Sequence, residues 1–163
     1  MLVQIFSLTA MTLAISGSKD FVNEDYESGS WKFMIGNTIN IALGTSLGDA
    51  NLLIAQSGLM YYTLRMVKHT EYFKYLLSFG LMLLLILGIN NSLSFSFNII
   101  EVLATITAWV GAWAMSRQKF KLMGLSWIVA DIGFLYIAYK LGLIGLGIQA
   151  SIFIYHGYLR IVK

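Results

Sequence analysis

The sequence contains no cysteine and no proline, and only 12% of its 163 residues are charged. Without cysteine, the chain can form no disulfide, no thiolate metal site and no cysteine nucleophile. Without proline, glycine is the residue type left to weaken a helix, and the chain has 15 glycines. Soluble domains carry about 25% charged residues. The shortage of charge therefore argues against an ordinary water-soluble protein.

Motifs of enzymatic chemistry are also missing. His69 and His156 are the only histidines, and they form no His-x-x-x-His pair. No glycine-rich loop followed by Lys-Ser or Lys-Thr is present to hold phosphates. We therefore predict that the chain is not an enzyme and has no cofactor and no metal site. The net charge of +3 is small, and we predict no nucleic-acid partner.

What the chain has instead is apolar sequence: hydrophobic residues make up 58% of it, and the mean hydropathy is +0.73. A transmembrane helix needs roughly 20 apolar residues. We predict an all-α integral membrane protein with seven transmembrane helices in a single domain. The predicted spans are about 2–16, 32–47, 50–66, 72–90, 95–116, 121–139 and 142–161. The first span could instead be a signal peptide, although it lacks a basic n-region, and residues 17–30 are predicted to form a surface loop.

A short motif, Leu-Arg-x-Val-Lys, occurs at Leu64–Lys68 and again at Leu159–Lys163. Ala14–Ser16 followed by Lys19 is similarly matched by Ala114–Ser116 followed by Lys119. We interpret these matches as a 3+1+3 parallel repeat, one of the symmetries found in transporters. Residues 1–68 would form the first triple-helix repeat, residues 69–93 a linker helix and residues 94–163 the second repeat.

The basic residues fall almost entirely on one side of these predicted spans. Lys140 alone lies on the opposite side. Cytoplasmic loops retain Lys and Arg, so we predict an outside N-terminus and a cytoplasmic C-terminus. The residues on the basic side are Lys19, Lys32, Arg65, Lys68, Lys74, Arg117, Lys119, Lys121, Arg160 and Lys163.

Several segments carry a family resemblance. Ile100–Leu103, Trp113–Lys119, Leu43–Thr45 with Ala50, and Thr63–Arg65 resemble YgjV-type bacterial inner-membrane proteins. The chain is also similar to the PnuC vitamin transporters of the SWEET-like superfamily. The segments that match PnuC are Trp31 with Gly36, Leu47–Gln56, Met115–Lys119, Trp127–Asp131, Tyr139–Leu143 and Gly157–Tyr158.

This resemblance implies a substrate path between two helix triplets and facilitated diffusion of nicotinamide riboside or a related vitamin. The chain departs from PnuC at Tyr61–Thr63, where that family has a Tyr-Gly-Trp-like sequence. The departure puts nicotinamide riboside itself in doubt.

Polar residues inside the predicted spans indicate where a substrate would bind. An ionisable group at bilayer depth costs roughly 2.5–3.5 kcal/mol, so it usually faces a cavity or a partner. Glu101, Thr105, Trp109 and Trp113 recur at steps of four along one predicted helix, and the two indoles could stack a flat ring. Alternatively, the indoles are interface anchors and Glu101 lies at a shallow helix start. The predicted substrate site comprises Asn37, Asn40, Gln56, Glu101, Trp109, Trp113 and Asp131.

Together these features predict a bacterial inner-membrane facilitator that moves a small ring-containing metabolite by alternating access. Its partners would be the substrate and the lipid bilayer, and homo-oligomerisation is left open. A non-transporting membrane subunit or scaffold, and a SWEET-like sugar carrier, are the alternatives.

Overall fold

The structure is a computed structural model that describes residues 1–23, 25–67 and 98–162 and the isolated positions 75, 78, 80 and 82. The continuous ranges contain six α-helices. They are α1 (Leu2–Val22), α2 (Tyr26–Ser46), α3 (Ala50–Leu64), α4 (Ile99–Ser116), α5 (Phe120–Leu141) and α6 (Ile144–Val162). The predicted span at 72–90 lies outside these ranges.

The prediction of a bundle of seven transmembrane helices is wrong. The described residues form six helices, and two of these, α4 and α5, are long and apolar enough to cross a membrane. Polar side chains lower the hydropathy of α1, α2 and α6, and α3 has only 15 residues, fewer than the roughly 17 that a span requires. The predicted 3+1+3 arrangement required seven membrane spans, so it is also wrong.

The predicted surface loop at residues 17–30 is also wrong, because α1 continues to Val22 and α2 begins at Tyr26. Polar side chains at these helix ends bind one another across the short turn. The Asp20 carboxylate accepts a hydrogen bond from the Ser28 hydroxyl at 2.8 Å and from the Lys32 ammonium at 2.5 Å. These contacts give the polar groups hydrogen-bond partners. The helices α1 and α2 therefore extend beyond the apolar residues from which they were predicted.

Local sequence explains where the other helices begin and end. Asp25, Asp49 and Asn98 are N-cap residues whose side chains accept backbone N–H hydrogen bonds at 2.8–3.1 Å. Gly48 and Gly142 lie in the left-handed region, at φ 68° and 65°. Only glycine adopts this conformation without strain, and both residues lie in the turn that follows a helix.

The six helices pack as a closed ring. Each helix contacts the next along the described chain, and α6 contacts α1. Because the turns within each group of three helices are short, neighbouring helices there are antiparallel. The ring therefore has two ends. We call them the Gly48 end, with the turns around Gly48 and Gly142, and the basic end, with the turns at 23–25 and 117–119.

Close backbone contacts hold two helix pairs together near the basic end. A Cβ atom on Gly17 would lie 2.9 Å from the carbonyl oxygen of Gly29, which places α1 directly against α2. A Cβ atom on Gly157 would lie 2.8 Å from the carbonyl oxygen of Gly124, which places α6 against α5. Small residues permit this approach between helices, and the centre of the ring lies between the two pairs.

Candidate binding cavity

A small cavity lies at the centre of the ring, between α2, α3, α4, α5 and α6. Its volume is about 30 Å³, and a single water needs roughly 10–15 Å³ of such space. The cavity therefore has room for about two waters. The residues that line it are Phe33, Asn37, Gln56, Leu59, Thr63, Ala108, Met115, Trp127, Ala130, Asp131, Phe134, Gln149 and Phe153.

Five of the lining residues are polar and almost fully buried: Asn37, Gln56, Thr63, Asp131 and Gln149 are 1–8% exposed. The Thr63 hydroxyl donates to the carbonyl oxygen of its own helix four residues earlier. Asn37 Nδ2, Gln56 Oε1 and Gln149 Oε1 have no hydrogen-bond partner among the described residues. The Asp131 carboxyl likewise has neither a hydrogen bond nor an ion pair within that part of the chain. Because a buried polar group without a partner is unfavourable, these groups give the cavity unused capacity to bind a polar molecule.

Four aromatic residues also line the cavity, and three of them, Phe33, Trp127 and Phe153, pack against one another; the fourth is Phe134. Trp127 and Phe153 are stacked, with ring centroids 5.7 Å apart and an interplanar angle of 15°. Phe33 lies 6.3 Å from Trp127 and 5.8 Å from Phe153, again measured between centroids. The cavity thus combines flat apolar surfaces with hydrogen-bonding groups.

Sequence reasoning missed all three of these rings, although a signal for them exists. Residues four apart lie on the same face of a helix, and each ring lies four residues from a polar residue that lines the cavity. The pairs are Phe33 with Asn37, Trp127 with Asp131, and Phe153 with Gln149. A search for an aromatic residue four positions from each buried polar residue would have found them.

Of the seven residues predicted to bind substrate, the structure brings together Asn37, Gln56 and Asp131. Asn40 is buried on α2, at 2% exposure, but it does not line the cavity. Glu101, Trp109 and Trp113 also lie elsewhere.

The two tryptophans miss the cavity because the rotation accumulates when steps of four residues are repeated along an α-helix. With 3.6 residues per turn, each step rotates by about 40° away from the starting face. Trp109 is 38% exposed and donates its Nε1–H to the Ala55 carbonyl at 3.2 Å. Trp113 lies at the basic end, where the Lys119 ammonium is 4.9 Å from its ring centroid.

Glu101 lies in a separate polar cluster at the Gly48 end. Because α4 begins at Ile99, this residue is in the first helical turn and not two turns inside. Its buried carboxylate accepts a hydrogen bond from Lys140 Nζ at 3.0 Å and another from the Asn51 side-chain amide. Lys140 Nζ also lies 3.1 Å from the Asp49 carboxylate. The cluster ties the start of α3 to α4 and α5.

A second set of polar contacts closes the ring between α1 and α6. The side chains of Gln4 and Ser7 accept hydrogen bonds from backbone N–H groups of α6, both at 3.2 Å. Farther along, the Ser18 hydroxyl lies 2.8 Å from His156 Nδ1. His156 therefore helps to join two helices.

Comparison with known proteins finds no match: no family model fits the chain, and neither a curated protein nor a solved structure is significantly similar to it. The resemblance to the PnuC and YgjV families stays a prediction. Among the described residues, no three His, Asp or Glu side chains are grouped to hold a metal ion. The chemistry of the central cavity is therefore the basis for a functional assignment.

Proposed function

We propose that the chain is a multi-pass membrane protein that binds a small ring-containing metabolite in the central cavity and moves it across the bilayer by alternating access. The observation that carries this proposal is the cavity itself, which is lined by both buried polar side chains and aromatic rings. A flat ring would stack on the aromatic side chains, and its polar substituents would bind the amides and the carboxyl. Nicotinamide riboside or a related vitamin or nucleoside fits this description.

The distribution of apolar surface supports placement in a membrane. Large apolar side chains point outward from the two most apolar helices: Leu103 and Ile106 on α4 are 48% and 52% exposed, and Val129 and Ile132 on α5 are 49% and 56% exposed. The polar residues of the cavity are buried instead. Extensive apolar surface of this kind marks a contact with lipid or protein, and lipid suits a ring that buries its polar cavity residues and exposes apolar side chains.

The distribution of charge supports an orientation. Lys140 lies at the Gly48 end, whereas the other described Lys and Arg residues lie at or near the basic end. They are Lys19, Lys32, Arg65, Arg117, Lys119, Lys121 and Arg160. Positive charge is retained in the cytoplasm, so we assign the basic end to the cytoplasmic side of a bacterial inner membrane and the N-terminus to the outside.

The size of the cavity supports a mechanism with moving parts. Space for about two waters is too little for a ring-containing metabolite. In our proposal the conformation described is a closed one, which a substrate enters only when aromatic side chains or whole helices move apart. Alternating access supplies this movement, opening the cavity first to one side of the membrane and then to the other.

A thermal-stability screen of the purified protein tests the proposal. The panel consists of vitamins, nucleosides and sugars, because a ligand that binds the folded state raises the melting temperature by mass action. We expect at least one vitamin or nucleoside to stabilise the protein and to show saturable uptake into proteoliposomes. If sugars alone do so, the SWEET-like sugar carrier replaces our proposal.

Two asparagines on α2 provide a matched pair of variants. Asn37 and Asn40 are equally buried, at 3% and 2% exposure, but only Asn37 lines the cavity. Asn37→Leu should weaken binding of the ligand found in the screen by about tenfold, the loss expected for one hydrogen bond. Asn40→Leu should leave the affinity within about twofold. Equal losses in both variants would contradict the assignment of the cavity as the binding site.

The rival function is a non-transporting membrane subunit or scaffold. One observation favours it: the polar side chains of the cluster at the Gly48 end bind one another and leave no capacity there for a substrate. They are Asp49, Asn51, Glu101 and Lys140. A scaffold would show no stabilisation by any compound of the panel and no saturable uptake. The unpartnered amides of the central cavity favour the transporter.

A further inference from the structure

We infer that the ligand of the central cavity is an organic cation, with the Asp131 carboxylate as its counter-ion and the aromatic wall as the surface against which its charged ring lies. This inference rests on the proposed function, since it specifies the charge of the molecule that the same cavity binds. A substrate with a flat ring does not by itself have to carry charge.

The position of Asp131 is the first reason. Its side chain is 5% exposed, lines the cavity and has no described hydrogen-bond or ion-pair partner. An acidic group this deep is unfavourable unless something balances it. In membrane proteins, buried carboxylates of this kind commonly serve as counter-ions of ligands.

The positions of the basic residues are the second reason. No described Lys or Arg lines the cavity. Lys140 is on the same helix as Asp131, but its ammonium binds Glu101 and Asp49 at the Gly48 end. The remaining described basic residues lie at or near the basic end of the ring. Within the part of the chain that the structure describes, the cavity therefore contains an acidic group and no basic one.

The aromatic wall and the amides are the third reason. A cation is attracted to the face of an aromatic ring, most strongly to tryptophan, and Trp127 stacks with Phe153 beside Asp131. The amides of Asn37, Gln56 and Gln149 line the same cavity and can accept hydrogen bonds from a ligand. The cavity thus combines one acidic group with aromatic faces, which favours a positively charged ligand.

Two compounds that share a carboxamide-substituted ring but differ in charge test the inference. 3-Carbamoyl-1-methylpyridinium carries a positive charge, whereas 3-carbamoylpyridine is a neutral ring with the same carboxamide group. Affinities for the purified full-length protein are measured by titration calorimetry at neutral pH. We expect the cation to bind about 10- to 100-fold more tightly, because its charged ring gains an ion pair with the Asp131 carboxylate and a cation–π contact with Trp127.

Substitutions of Asp131 then identify the source of that preference. Asp131→Asn removes the charge with little change in volume, and it should abolish the preference for the cation, so that the two compounds bind the variant with affinities within about threefold of each other. Binding of either compound also reports that the variant is folded. Asp131→Glu retains the charge and should retain the preference.

The outcomes separate the inference from the proposed function. If both compounds bind with equal affinity, or if Asp131→Asn still prefers the cation, the counter-ion role is refuted and a ring-binding cavity stands. If neither compound binds and no member of the stability panel does, the proposed function fails and the inference fails with it. A preference for the cation that disappears in Asp131→Asn supports both.

Discussion

Replacing Lys140 should weaken the fold more than replacing any other single lysine of the described chain. Lys140→Gln removes the ammonium that lies 3.0 Å from the Glu101 carboxylate and 3.1 Å from the Asp49 carboxylate. Both carboxylates are almost fully buried, with side chains 1% and 4% exposed. Two negative charges would then lie at the Gly48 end without a positive partner.

The size of the effect follows from how far water reaches the cluster. Removing one partner of a fully buried ion pair costs about 3–5 kcal/mol, whereas an exposed pair contributes about 0–1 kcal/mol. The Lys140 side chain is 35% exposed, and Glu101 and Asp49 keep hydrogen bonds to Asn51 and to the Leu52 N–H. We therefore expect a loss of about 2 kcal/mol in the free energy of unfolding.

Equilibrium unfolding of the purified protein in mixed detergent micelles measures this loss. Lys32→Gln is the matched control, because Lys32 is as exposed as Lys140, at 33%, but its partner Asp20 is 18% exposed. The control should be less destabilised than Lys140→Gln. Adding Glu101→Gln to Lys140→Gln should recover part of the loss, since it removes one of the unbalanced charges. Equal destabilisation by the two lysine substitutions would refute the reasoning.

Two further predictions concern helix packing and pH. Gly157→Ala should lower the free energy of unfolding by about 1–3 kcal/mol more than Gly147→Ala does. A Cβ atom on Gly157 would lie 2.8 Å from the Gly124 carbonyl oxygen, whereas the nearest atom to a Cβ on Gly147 is 3.6 Å away. Thermal denaturation of both variants checks this, and equal melting temperatures would contradict it. Hydrogen bonds from Lys32 and a neighbouring serine hydroxyl lower the pKa of Asp20 from its ordinary 3.8. Their stabilising contribution is present above that value and is lost as the pH falls through the lowered pKa. An NMR titration of the Asp20 carboxyl should therefore have its midpoint below 3.8, and Lys32→Gln should move it upward; an unchanged midpoint would show that Lys32 is not the cause.

The sequence predicts the helices better than it predicts their number or their role. Apolar runs located all six described helices, and the start of α3 at Ala50 agrees because Asp49 is both a polar interruption and a cap. The apolar runs underestimated the lengths of α1 and α2, because the ends of these helices contain polar residues that bind each other. They also overestimated the number of membrane spans, because a helix can be buried by other helices without being long enough to cross a bilayer.

The sequence predicted which residues belong to the candidate site only where burial alone identifies them. Asn37, Gln56 and Asp131 were expected inside because apolar residues surround them in the sequence, and they do line one cavity. Glu101 was misplaced because its depth depends on where α4 begins, which Asn98 fixes as the N-cap. The aromatic wall depends on how α2, α5 and α6 face one another, and no single helix contains that information.

The contact between α1 and α6 has a consequence for how the protein is made. These helices lie at opposite ends of the described chain, yet they are neighbours in the ring. Contacts between residues so distant in sequence form late and slowly during folding. Until α6 is synthesised, Gln149 and Phe153 are missing from the cavity wall, and the buried polar groups of α2, α3 and α5 have no enclosure. The cavity is therefore incomplete until α6 has been synthesised and has docked against α1.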